Sequence, residues 1–375
     1  MSKFYFIPTV YNPNTAATNR CLAYIKGLSE LGVDTVVVNF YPNEKRDLMS
    51  INLPHIRIVN YWRKFYLPWK LCYLSLMIYY LLFYFRLRRG DVVYCYEQVN
   101  VWKLFLKKGV RVYSEYTENP TVIGLGGFFF RTSWKAFQKN CLKLTGVFVI
   151  SSALKQWFLE RGMEDNKVHI INMIVDQSRF ENLEDNKEVP PYLAYCGTAY
   201  NNKDGVDELL KAFALVVKQY PQLLLYIIGE TPLEEDKSGN LQLIKDLGIE
   251  RNVVFTGVIE AKRMPQLLRD AKVLVLDRPD NIQAKYGFPT KLGEYLLTGN
   301  PVVVTQVGDI PRILEDGVSV LFAKPSCPED FSNKVIWALE NPEDAAVIGK
   351  RGKEIALKNF NYLEETRKLV SRMCL

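Results

Sequence analysis

Short runs rich in β-branched and aromatic residues alternate with helical patterns along the whole chain, and they do so in two series. The first series is FYFIPT (4–9), VDTVVVNF (33–40), DVVYCYE (91–97), VRVYSEY (110–116), GVFVIS (146–151) and VHIIN (168–172). A polar stretch ending in two prolines, ENLEDNKEVPP (181–191), then breaks the pattern and reads as a linker. The second series is YLAYCG (192–197), LLLYIIG (223–229), NVVFTG (252–257), KVLVLD (272–277) and PVVVT (301–305). Between them lie helical patterns such as 206–220, where Val206, Leu209, Leu210, Phe213 and Val217 recur at helical spacing. Strands alternating with helices specify parallel, doubly wound sheets. A chain of 375 residues also exceeds one ordinary core. The expectation is an α/β protein of two Rossmann-like domains, 1–185 and 192–357, facing a central cleft, with 358–375 as a helix packing back on the first. In such sheets ligands bind beyond the carboxyl ends of the strands, so the loops there carry the functional reading.

The residue inventory removes several chemistries. Only two histidines occur, His55 and His169, neither beside a suitable nucleophile or second ligand, which leaves no basis for a Ser-His-Asp triad or a multi-histidine metal site. Asp-x-Asp is absent, and the seven cysteines (Cys21, Cys72, Cys95, Cys141, Cys196, Cys327, Cys374) form no Cys-x-x-Cys pair. Neither a zinc site nor a disulfide framework is expected. The start, MSKFYFIPTV, enters a strand pattern directly, without the apolar core and small-residue cleavage site of a signal peptide, and points to the cytoplasm. The net charge of +7 is uneven: residues 1–185 hold 24 Lys and Arg against 15 Asp and Glu, the remainder 24 against 26. A basic first half suits an anionic membrane surface or nucleic acid, but no RRM, KH or helix-turn-helix signature accompanies the charge.

The most informative segment runs from Tyr286 to Pro301, YGFPTKLGEYLLTGNP, and leads into the buried strand VVVT. Pro289 and Thr290 suit a helix start and Gly299 its end, which sets Lys291 and Glu294 three residues apart on one face of the first turn. A helix N-terminus offers N–H groups and a positive dipole end to a diphosphate, and Lys291 adds a full charge. Glu294 can accept hydrogen bonds from both hydroxyls of a ribose. The same spacing also fits an ion pair on a solvated face, worth ~0.2–0.5 kcal/mol. In CGTAYNNKDG (196–205), Lys203 stands beside a backbone turn, where an ammonium neutralises phosphate without a metal; the alternative is a solvated turn lysine.

Residues 289–301 resemble the donor-site helix of the retaining GT-B glycosyltransferases of family 4, in the variant Pro-x-Lys-x-x-Glu-Tyr-Leu-x-x-Gly-x-Pro. The resemblance covers 192–355 well and the first half loosely. It implies a GT-B fold, a nucleotide-sugar donor such as a UDP- or GDP-sugar as substrate, no cofactor, no metal, and retention without a conventional protein nucleophile. It assigns Glu294 to the nucleotide ribose and places Gly287 and Phe288, with Pro289 and Thr290, against the donor sugar and phosphates. Lys203 and Lys291 serve the pyrophosphate, Gly197 and Thr198 form the phosphate loop, and Gly229, Gly257 and Val258 line the base pocket with backbone. Two departures stand out: Tyr286 occupies the place of a second glutamate, and Thr198 that of an arginine.

In the first half, YTENP (116–120) resembles the family's His-Glu-x-Pro motif, with Thr117 in the histidine's place. Glu118 or Glu115 either contacts the acceptor or is a buried structural acid. In the loop 8–20, Asn19 and Arg20 sit at a helix start from which they can reach a phosphate. Residues 71–85 carry no charge and are bracketed by Arg63, Lys64, Lys70, Arg86, Arg88 and Arg89. At ~1.5 Å per residue this helix is too short to cross a ~30 Å hydrocarbon core, which leaves a buried core helix or partial insertion at an anionic interface. Residues 126–135 repeat the mixture of aromatics and cations. Docking implies a lipid-linked saccharide acceptor on the inner face of the membrane, as in bacterial surface-polysaccharide assembly. The competing readings are a nucleotide-sugar epimerase or degenerate nucleotide-binding subunit on the same fold, and a nucleic-acid-binding protein.

Overall fold

The computed structural model describes residues 2–9, 15–40, 51–61, 69–96, 101–123, 133–183, 189–231 and 233–375. Residues 10–14 of the loop 8–20, residues 126–132 of the stretch 126–135, and Arg63 and Lys64 lie outside the described residues, as do the side chains of 69–75. Among the described residues the strands form two all-parallel sheets. The first holds β1 (Phe4–Ile7), β2 (Thr35–Asn39), β3 (Ile56–Asn60), β4 (Val92–Tyr96), β5 (Arg111–Tyr116), β6 (Gly146–Val149) and β7 (Val168–Ile170), in the order β3-β2-β1-β4-β5-β6-β7. The second holds β8 (Tyr192–Cys196), β9 (Leu224–Ile228), β10 (Val253–Gly257), β11 (Val273–Leu276), β12 (Val302–Thr305) and β13 (Leu321–Ala323), in the order β10-β9-β8-β11-β12-β13. The order reverses at β1/β4 and at β8/β11, the switch points where open α/β sheets bind ligands. Central strands such as β4, β8, β11 and β12 are buried throughout, which is why they read as unbroken apolar runs.

The chain divides into two compact units, Met1–Ile174 with Tyr362–Leu375, and Val175–Asn361. The crossing falls at Ile174/Val175, ahead of the polar stretch, because Val175 pairs with Asn361 and its N–H donates to the Phe360 carbonyl at 3.0 Å. The prolines at 190 and 191 thus end a loop inside the second unit. The final helix, Tyr362–Met373, sends Tyr362, Leu369 and Met373 into the first unit's core beside α1 (Ala16–Glu30).

That core is built around a buried ion pair. Arg20 on α1 is 2% exposed and Glu115 on β5 is 0% exposed. Arg20 donates from Nε to Glu115 Oε1 at 2.8 Å and from Nη1 to the Asn172 carbonyl at 2.8 Å, while Tyr94 donates to Glu115 Oε2. The backbone N–H of Asn172 in turn donates to Glu365 of the final helix at 2.9 Å. The Arg20 guanidinium, expected to reach a phosphate, turns inward onto Glu115, Tyr24 and the Asn172 carbonyl. Glu115 is the structural acid of the pair considered above. Replacing Glu115 with glutamine leaves Arg20 buried without its counter-charge. The expected cost is about 3–5 kcal/mol, read as a lowered denaturant midpoint for the Glu115→Gln chain.

Candidate functional site

Three neighbouring strands of the second sheet end on glycine. Gly197, Gly229 and Gly257 follow or close β8, β9 and β10 with φ of 144°, 134° and 66°, a region L side chains rarely adopt. Gly229 is excluded from carrying a side chain twice over, since a Cβ there would stand 2.2 Å from the Gly197 carbonyl oxygen. The turns are zipped together by Gly197 N–H to the Ile228 carbonyl (2.8 Å) and Ala199 N–H to the Glu230 carbonyl (2.8 Å). The strand ends thus present backbone, with Val258 exposed beside them.

Facing the end of β8 is the helix Thr290–Thr298, whose N-cap is Pro289 and whose C-cap Gly299 is left-handed at φ 79°. Proline has no side-chain acceptor to cap the first turn; the Leu292 N–H donates to the Pro289 carbonyl at 3.1 Å, and the Thr290 and Lys291 N–H groups precede the first intrahelical bond. Tyr295 anchors the helix by accepting from the Cys196 N–H at 2.5 Å. Lys291 then reaches back along the loop: Nζ donates to Asp204 Oδ2 at 2.7 Å and to the Tyr195 hydroxyl at 3.0 Å. A Cβ on Gly197 would lie 2.4 Å from that nitrogen, so a side chain there would displace the ammonium. Burial lowers the Lys291 pKa, against the opposing pull of Asp204. Burial likewise tends to raise the Asp204 carboxyl, but Lys291 and Arg278 hold it below the ordinary aspartate value.

Arg278 follows β11 across the switch point and is 3% exposed. Its Nε lies 3.8 Å from Asp204 Oδ1 and 3.5 Å from the Lys203 carbonyl, and its N–H donates to Thr305 Oγ1 at 2.8 Å. Two cations, Lys291 and Arg278, thus approach the carboxylate of Asp204 at the sheet's carboxyl edge. Glu294 lies one turn further along the helix and accepts from Arg179 Nη1 at 2.5 Å. The partner comes from the short turn Gln177–Phe180, just after the chain has crossed into this unit.

Other candidates fall into place around this centre. Lys203 is half-buried in the four-residue helix Asn201–Asp204, and Thr198 is exposed with its carbonyl accepting from Tyr195. Gly287, Phe288 and Pro289 are buried, and the Phe288 ring packs on Phe360 at 5.6 Å, so that side chain belongs to the core and only its backbone is available to a ligand. Thr290 is half-buried at the helix start. In the first unit Asn19 is exposed on α1 and Glu118 half-buried after β5, with Arg20 turned away from both. Among the described residues no three His, Cys, Asp or Glu side chains gather as metal ligands.

Arg179, Asp204 and Arg278 escaped the sequence reading. Arg278 had a usable signal, as an arginine directly after the strand run KVLVLD; Arg179 and Asp204 had none, because only the fold brings them to Glu294 and Lys291.

The two doubly wound sheets, with a cationic site at the second sheet's switch point, define the chain's class as a GT-B protein. Residues 190–341 match the family model described as glycosyl transferases group 1. An uncharacterized glycosyltransferase of Methanocaldococcus jannaschii is 22% identical over 265 residues, 66% of this chain and 63% of that protein. A GDP-mannose-dependent alpha-(1-6)-phosphatidylinositol monomannoside mannosyltransferase of Mycolicibacterium smegmatis is 26% identical over 43% of this chain and 42% of its own. The chain thus spans less than two thirds of the length of either relative. Among solved structures, Anabaena HepE in complex with UDP is similar in fold, with a TM-score of 0.75 at 16% identity over 99% of both chains.

Next to the site, Asp277 ends β11 fully buried, and its Oδ2 has no hydrogen-bond partner. Burial, then Glu208 and Asp207, push its pKa up to about 8. Its folded value lies above its unfolded value of 3.8, so the folded chain binds the extra proton between the two. Stability should fall as pH rises from about 4 through about 8 and then level off. Asp277→Asn should flatten that slope and stabilise the chain at alkaline pH, measured as denaturant midpoints across this range.

Proposed function

We propose that the chain is a glycosyltransferase that takes a sugar from a nucleoside diphosphate sugar, with the diphosphate seated on the N-terminus of helix Thr290–Thr298 beside Gly197 and Lys291. The observation that carries this reading is the pairing of two cations, Lys291 and Arg278, with the single carboxylate Asp204 at the switch point. Such a site has charge to offer a diphosphate, and its donors are already oriented, so little reorganisation accompanies departure of the leaving group. The helix dipole and first-turn N–H groups add to the same end. Glu294, oriented by Arg179, takes the ribose hydroxyls; the glycine turns after β9 and β10, with Val258, take the base through backbone. Lys203 completes the pyrophosphate contacts.

Leaving-group stabilisation by these fixed charges needs no metal, and transfer proceeds with retention. HepE, described with UDP and with UDP-glucose, supports a nucleotide-sugar donor. The acceptor in this reading is a lipid-linked saccharide of surface-polysaccharide synthesis, met at the inner face of the membrane, with Asn19 and Glu118 on the acceptor side. The name of the mycobacterial relative, a transferase to a phosphatidylinositol mannoside, supports a lipid acceptor.

Thermal unfolding with UDP, GDP, ADP and CMP tests the donor site. A ligand at 100 times its dissociation constant stabilises by ~2.7 kcal/mol, which raises the midpoint by several degrees. One nucleotide should shift the wild type and lose that shift in Glu294→Ala and in Lys291→Met. If no nucleotide shifts the wild type, the donor-site reading fails.

A further inference from the structure

Helix α2 (Trp69–Arg86) is two-faced in a way its composition conceals. On one side Leu76, Tyr80 and Phe83 are buried, followed by Leu87 just past the helix end. Tyr80 and Phe83 pack on Phe40 at 4.6 and 5.5 Å, and Phe83 meets Phe105 edge-on at 5.1 Å. This packing fixes the rotation of the helix. The opposite side carries Ile78, Leu81, Leu82 and Phe85, which are 48%, 52%, 54% and 74% exposed. Their spacing of three, four and seven residues makes them one continuous stripe.

The described, exposed charges at the stripe's C-terminal end are all cations. Arg86, Arg88, Arg89 and Lys108 are exposed at its C-terminal end. Lys107 closes the helix there, donating to the Tyr84 and Leu87 carbonyls at 3.3 and 2.8 Å. Neither 69–90 nor 101–110 contains an acidic residue. Asp91, the next acid in the chain, is buried and accepts from the Lys3 and Arg88 N–H groups.

We propose that the exposed face of α2 is a docking surface for an anionic lipid bilayer, with Ile78, Leu81, Leu82 and Phe85 entering the acyl boundary and Arg86, Arg88, Arg89 and Lys108 meeting lipid phosphates. The helix lies flat in the interface, since among the described residues no helix is long and apolar enough to cross a membrane. Charge complementarity selects this occupant. A second copy of the stripe would bring no acidic residue from 69–90 or 101–110 to set against the cations, and the four described side chains fall well short of the ~800 Å² per partner of a stable interface. The proposal deepens the membrane placement in the function above and rests on it, but its test does not use the donor site.

Vesicles of phosphatidylcholine with and without phosphatidylglycerol, mixed with the full chain and separated by flotation, provide that test. The wild type should float with the anionic vesicles and much less with the neutral ones, and added salt should release it. Leu81→Ser with Phe85→Ser should weaken binding by about tenfold or more, and Arg88→Gln or Arg89→Gln by about fivefold each. All variants should keep the wild-type unfolding midpoint and nucleotide shift, because these side chains face away from the core. A wild type that ignores anionic vesicles, or variants that bind as it does, overturns the proposal. So does a dimer that Phe85→Ser dissociates without any vesicle binding, which would give the stripe to a second copy. Stripe-dependent flotation without any nucleotide shift would instead sink the donor reading and leave this one standing.

Discussion

The contact between Lys291 and Asp204 holds three pieces of the second unit in register. Lys291 belongs to the helix after the loop, Asp204 to the turn following β8, and Arg278, which shares the carboxylate, to the end of β11. An ammonium this enclosed keeps its charge only with a counter-ion in place, and an aspartate this enclosed stays ionised only with cations around it. The pair therefore fixes the distance between the glycine turn and the helix N-terminus. That distance decides whether a diphosphate can lie between backbone N–H groups and fixed positive charge.

The first unit uses a buried charge to a different end. Arg20 and Glu115 meet across α1 and β5 with tyrosine hydroxyls and a backbone carbonyl completing their hydrogen bonds. That arrangement ties α1, β5 and the segment before the crossing together. The contrast is one of partners: Arg20 and Glu115 balance each other one to one, whereas Asp204 is approached by both Lys291 and Arg278.

Periodicity revealed the two sheets because their central strands are covered on both faces and so read as unbroken apolar runs. It missed β3 and β13 for opposite reasons. β3 is a half-exposed edge strand in which Arg57 interrupts the isoleucines, and β13 has only three residues. Lys291 and Glu294 were legible because helix spacing alone puts them on one face. Their partners were not, since Glu294 meets Arg179 across 115 positions and Lys291 meets Asp204 across 87. The helix 71–85 read as either core or interface; one face of α2 is buried in the core and the opposite face is exposed, a division its even apolarity hides.

The first unit is discontinuous, with its last helix supplied by Tyr362–Leu375 after the whole second unit has been made. On the ribosome, the second unit's chain is complete before the first unit's is. Until the final residues emerge, Tyr362, Leu369 and Met373 are missing from a core of aromatic side chains, and Glu365 has yet to meet the Asn172 backbone. The N-terminal half must therefore wait, incompletely closed, until the second unit has been synthesised. Its window for capture by chaperones or for aggregation is set by translation time and not by its own folding rate.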